Sequence, residues 1–199
     1  MSTYPADFSA ATSPVGSTTL SEAGREALAA LAAKGYRVVT GLTRADVATL
    51  HQLSLQPSIR EYCPNDATSR FADEAATAQW LKKGRVVVLL IENRSDAIAG
   101  YGWFGDGTCE HIPEGRQTFA IRLSEAHQGR GLATPYTQVL LDLARTVYGA
   151  NHIWLEAWAS NAGAVHIYEK LGFQLAAKVE CPRLTARGSE TADTRLYLQ

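Results

Sequence analysis

The chain has 199 residues, 46% of them hydrophobic and 20% charged, a globular composition that argues against general disorder. Nineteen Lys plus Arg against twenty Asp plus Glu leave a net charge of −1, which argues against the concentrated basic face of a nucleic-acid binder. The longest aliphatic run, Val86 to Ile91, is far short of a membrane span, and three scattered cysteines with no CxxC pair argue against a zinc site or disulfide framework. Residues 1–20 are rich in Ser, Thr and Ala, carry Pro5 and Pro14, and read as a flexible tail without the basic and apolar regions of a secretory signal. Ser21 is a cap for an accessory helix through Leu28 and Leu31 that stops at Gly35. Residues 36–199 then read as a single domain. Tyr36, Val38 and Thr40 alternate as in a strand, and Val47, Leu50, His51 and Leu53 recur at helical spacing before Pro57. A second helix is expected from Phe71 to Lys83.

Arg85–Glu92 is a β-branched run joined by the turn Asn93-Arg94-Ser95-Asp96 to a hairpin partner, Ile98–Phe104. After a loop over 105–115, the pattern predicts a strand at Gln117–Leu123, a helix at Ala133–Tyr148 and a strand at His152–Trp158. A helix at Ala162–Leu171 closes at Gly172, and strands follow at Phe173–Val179 and Thr194–Leu198. The order is that of an α/β protein with a mixed central sheet of about six to seven strands and about four flanking helices. The thiols belong in a reducing compartment, and the expected location is cytoplasmic.

Two glycine clusters stand out. Gly100-Tyr-Gly102-Trp-Phe-Gly105 spells GxGxxG, but no helix follows it, so it reads as a strand with close backbone approach. The second cluster, Gln128-Gly129-Arg130-Gly131-Leu132-Ala133, lies between a strand and a helix. There the first amides of the helix lack intrahelical partners, the dipole is positive, and glycine allows close approach, so a diphosphate is the natural occupant. Arg130 could add a charged contact.

Gln128-x-x-Gly131-x-Ala133 resembles the Q/R-x-x-G-x-G/A signature of the GNAT superfamily of N-acetyltransferases. Asn161-Ala-Gly-Ala164-Val-His-Ile-Tyr168-Glu-Lys-Leu-Gly172-Phe173 resembles that family's second block. The resemblance implies a GNAT-like fold and an acetyl-CoA-dependent N-acetyltransferase that acts by direct attack, without a metal. The implied cofactor contacts are the loop 128–133, the main chain of Ile121, Arg122 and Leu123, and Asn161, which also caps the following helix. Tyr168 falls where the family often has the acid that protonates the leaving thiolate, although its helical stripe also suits core packing.

Candidates for the base are Glu110, His111, Glu114, Glu125, His127 and Glu156, with Glu156 beside the cleft and His127 better suited to solvent or phosphate. Arg60, Glu61, Tyr62, Asp66, Asp73, Glu74 and Trp103 fall in the region that sets the acceptor, and their carboxylates are expected at the surface. The wording of the motifs is similar to the branch acting on ribosomal-protein N-termini and polyamines, and such enzymes often pair as homodimers. The alternative is a catalytically silent CoA-binding sensor or scaffold, with no nucleic acid or membrane as partner in either case.

Overall fold

A computed structural model describes residues 7–199 of the chain; the first six residues of the expected tail lie outside the described residues. The strands are β1 Ser13–Pro14, β2 Tyr36–Thr40, β3 Arg85–Glu92, β4 Ile98–Asp106, β5 Gln117–Leu123, β6 Ile153–Trp158, β7 Leu175–Leu184 and β8 Glu190–Leu198. The helices are α1 Glu22–Ala33, α2 Arg44–Ser54, α3 Pro57–Arg60, α4 Glu74–Leu81, α5 Ala133–Thr146 and α6 Ala162–Lys170. The strands form one sheet in the order β1-β2-β3-β4-β5-β6-β8-β7.

Alternation along the central strands divides the core into two layers. Val86, Val88 and Leu90 of β3 face α1, α5 and α6, whereas Val87, Leu89 and Ile91 face α2, α3 and α4. Gly102 lets α5 lie close on β4, because a Cβ there would stand 2.5 Å from Leu140 Cδ1. The GxGxxG spelling is therefore strand packing, as its context predicts.

Several expectations shift. Part of the presumed tail is built into the sheet: β1 pairs antiparallel with β2, Val15 N donates to Val38 O, and Leu20 is buried. The second expected helix starts at Glu74 instead of Phe71, because the Asp73 carboxylate accepts from Ala76 N and so caps it there. A π-helical turn, Asp66–Arg70, occupies the space before it. The C-terminal strands are longer than their apolar alternation suggests and form a paired hairpin whose second strand inserts beside β6.

Candidate active site

Among the described residues, strands β5 and β6 are the one parallel pair, and they stay together only at Gln117–Ile153 and Thr118–Trp154. Beyond that point β5 keeps β4 as its neighbour while β6 turns to β8, so the two strands splay and the β6-facing edge from Phe119 to Leu123 is left open. Open strand edge is main-chain donor and acceptor capacity without a partner. Ile121, Arg122 and Leu123, expected from sequence to act through main chain, lie along that stretch, where Ile121 O already accepts from Arg122 Nη1 at 2.7 Å and Leu123 O from Gln128 Nε2 at 3.0 Å.

The chain then passes through a short 3-10 turn into the loop 128–133. Gly129 and Gly131 have φ of +71° and +67°, a region that costs other residues roughly 1–2 kcal/mol. A Cβ at Gly129 would meet nothing within 4 Å. Among the described residues, no amide from Gly129 to Ala133 donates to the protein, although this run leads straight into α5. Five consecutive amides at a helix N-terminus, beside open space, make a cradle that fits a diphosphate.

The loop is braced from beneath. Gln128 Nε2 donates to Leu123 O and Ser58 Oγ, both at 3.0 Å, and the Glu125 carboxylate accepts from Ser58 N at 2.9 Å. Lys34 Nζ donates to Arg130 O at 3.1 Å, and the Arg130 guanidinium reaches Tyr36 Oη at 3.3 Å. Leu132 is buried and anchors the first turn of α5. His127, expected at the surface, is held instead, with Nδ1 2.6 Å from Ser124 Oγ and Nε2 3.7 Å from the Glu92 carboxylate.

On the α5 side of the splay, Tyr168 packs edge-on against Phe119 and Phe173, with centroids 5.7 and 6.3 Å apart. Burial pushes its phenol up to about 12, and the charge of Arg122 pulls the other way. The core reading of this tyrosine thus holds for its ring. Its hydroxyl has no hydrogen-bond partner among the described residues. Asn161 accepts from Ala164 N at 3.3 Å and caps α6, as its position predicts.

The opposite face carries charged groups that the sequence left scattered. Asp66, expected at the surface, is fully buried in the π turn. Its carboxylate accepts from Arg70 at 2.5 Å, Tyr101 Oη at 2.9 Å and Arg122 Nε at 3.0 Å. Burial works against its charge, but Arg122 and Arg70 outweigh that, and its pKa falls below the usual carboxylate value. Nearer the C-terminus, Arg183 donates to Glu61 at 2.6 Å and to Asp193 at 2.8 Å, tying the β7–β8 hairpin to the end of α3. Ala186 N also donates to Glu61, and Tyr62 Oη donates to Ser160 O, so this segment bridges both rims of the splay.

Glu156 faces the same side, 3.7 Å from Arg195 and directly across from Tyr197. His111 stacks on Tyr197 at 4.4 Å, and its exposed neighbour Glu110 lies 3.3 Å from it. Among the described residues no group of three or more His, Cys, Asp and Glu is placed to hold a metal ion, and no helix is long and apolar enough to cross a membrane.

A splayed parallel pair ending in a glycine loop and helix is the arrangement that the sequence signature implies, and residues 38–174 match the family model described as an acetyltransferase (GNAT) domain. The chain belongs to the GNAT acetyltransferase family. This GNAT chain is 36% identical over 109 residues to mycothiol acetyltransferase of Corynebacterium glutamicum (strain R), covering 55% of itself and 34% of that protein. It is 38% identical over 60 residues to spermidine N(1)-acetyltransferase of Escherichia coli (strain K12), 30% of this chain and 32% of that one. The chain thus spans about a third of the length of these curated relatives.

Its GNAT fold is shared with spermidine N-acetyltransferase from Vibrio cholerae, solved with CoA and spermine, at a TM-score of 0.65 and 21% identity over 83% of this chain and 96% of that one. It is shared also with yncA of Salmonella typhimurium, solved with its cofactor acetyl-CoA, at a TM-score of 0.64 and 21% identity over 83% and 94% of the two chains.

Proposed function

We propose that this GNAT protein moves an acetyl group from acetyl-CoA to a primary amine by direct attack, with no covalent intermediate on the enzyme. The run of unpartnered amides from Gly129 to Ala133 carries this reading. It would take the diphosphate of CoA, assisted by the charge of Arg130 and Lys34, while the open edge at Ile121, Arg122 and Leu123 would hold the pantetheine arm. An amide on that edge would also steady the oxyanion that develops at the thioester carbonyl, an effect of about 3 kcal/mol.

The amine nitrogen attacks that carbonyl, the new C–N bond forms and the C–S bond breaks. Tyr168 supplies a proton to the departing thiolate; a phenol held at about 12 keeps its proton at every pH where the enzyme would work. The ammonium must lose a proton first, and Glu156, half-exposed on the acceptor face, would take it. Relatives and structural neighbours are named for different compounds, among them mycothiol, spermidine, streptothricin and the alanine of ribosomal protein S5. Those names select no single acceptor for this chain.

Thermal unfolding with and without acetyl-CoA, with NAD and ATP as controls, tests the cofactor. Ligand at 100 times its Kd stabilises by about 2.7 kcal/mol, a shift on the order of 5–10 °C for a domain of this size. The expected result is a shift with acetyl-CoA alone, followed by thiol release when amines are added. No shift up to millimolar acetyl-CoA overturns the reading.

A further inference from the structure

On the acceptor face between β6, β8 and α3, most carboxylates are already paired with arginines. Asp66 is taken by Arg70 and Arg122, and Glu61 and Asp193 are taken by Arg183. Glu156 has Arg195 beside it.

Arg195 is different from the other three arginines. It stands directly across from Trp158 in the β6–β8 ladder, with its guanidinium carbon 3.6 Å from the Trp158 ring centroid. Stacking at that distance fixes the plane of the guanidinium without using its N–H groups. Among the described residues those groups make no hydrogen bond, because the contact to Glu156 is 3.7 Å and too long for one. The side chain retains 23% exposure, so a ligand can reach it.

The place is right for an acceptor. Arg195 and Trp158 lie at one end of the β6–β8 ladder, and the segment Glu61–Asp66 joins that end to β5, with Tyr62 Oη donating to Ser160 O and the Asp66 carboxylate accepting from Arg122 Nε. Arg195 therefore stands on the acceptor side of the splay, beside Glu156.

We propose that the acceptor is an amine bearing a carboxylate on a neighbouring carbon, an amino-acid-type zwitterion, with the carboxylate held by the Arg195 fork and the ammonium beside Glu156. A planar carboxylate matches the two parallel donors of a stacked guanidinium. The adjacent glutamate then meets the ammonium whose proton must leave. The inference rests on the transferase reading and narrows its acceptor.

The test is a panel of acceptors assayed by thiol release: phenylalanine with phenethylamine, leucine with isopentylamine, and spermidine. Wild-type protein is expected to favour each amino acid over its matched amine. R195Q is expected to lower kcat/KM for the amino acids roughly 10–100-fold and to leave the matched amines within about twofold. Arg195→Lys, which keeps the charge but loses the fork, is expected to fall between, and the acetyl-CoA shift in melting temperature certifies that both variants are folded. Preference for spermidine or the matched amines, or an equal loss on both members of a pair, overturns the proposal and leaves the transferase intact. If nothing is acetylated, the transferase reading fails, and calorimetric titration of the same panel into CoA-loaded protein decides the anion site. Carboxylate-dependent binding lost in R195Q upholds that site, and binding indifferent to Arg195 overturns it.

Discussion

At the scale of single residues, Tyr168 and Asp66 make a contrast. Both are buried and both lie near Arg122, yet one is held neutral and the other charged. Burial outweighs the pull of Arg122 on Tyr168, so the phenol stays protonated and has a proton to give. Tyr168→Phe keeps the ring contacts with Phe119 and Phe173 and removes only the donor. We expect kcat to fall by roughly 10²–10⁴-fold with the Kd for acetyl-CoA unchanged, measured by steady-state kinetics beside calorimetry. Asp66 keeps its charge because two guanidiniums and a phenol converge on it. Asp66→Ala leaves Arg122 buried and unpaired and should cost about 3–5 kcal/mol in denaturant unfolding at neutral pH. Because the folded pKa lies below the unfolded value of 3.8, this contribution is complete above that pH and fades as pH falls through the folded value. The gap between wild type and variant should therefore close in acid.

At the scale of elements, local chemistry was legible and long-range pairing was not. The loop 128–133 announced itself because positive φ, free amides and a helix start are all encoded within six consecutive residues. The start of α4 was legible too, in the Asp73 cap, but the aromatic Phe71 extended the apolar pattern past it. Asp66 gave no such signal. Its partners come from β4, β5 and its own turn, and only the register that puts Tyr101 opposite Arg122 brings them together. Arg195 was hidden for the same reason, since its stacking on Trp158 depends on a ladder between strands far apart in sequence. The β4–β5 pair also sets a tolerance. A Cβ at Gly100 would stand 2.6 Å from Arg122 O, so Gly100→Ala should push the two strands apart. We expect a loss of about 1–3 kcal/mol by chemical denaturation, together with weaker binding of acetyl-CoA at the displaced edge.

At the scale of the whole molecule, the two halves of the sheet share a short parallel contact, and on the acceptor face a buried clasp ties them through α3. The contact is the pair of positions at the foot of β5 and β6. The clasp is Arg183, buried between Glu61 and Asp193, with its guanidinium over the ring of Tyr62 at 5.0 Å. Arg183→Gln should loosen both sides of the clasp together. Hydrogen exchange is the measurement, and faster exchange is expected in α3 and the β7–β8 hairpin but not in α1 or α5. Exchange that rises in only one of the two would mean that they are not joined there.

The position of β8 inside the sheet has a consequence for how the molecule is made. β8 follows both β6 and β7 in the chain, yet it lies between them and, among the described residues, is the neighbour of β6 beyond the foot of the splay. Strands β1 to β5 can pair in the order in which they leave the ribosome, each against a strand already present. The other wall cannot. Until Glu190–Leu198 emerges, β6 and β7 expose unpaired edges flanked by Trp154 and Trp158, surface of the kind that chaperones bind. A nascent chain halted before β8 should therefore depend on chaperones far more than one halted once β8 has emerged.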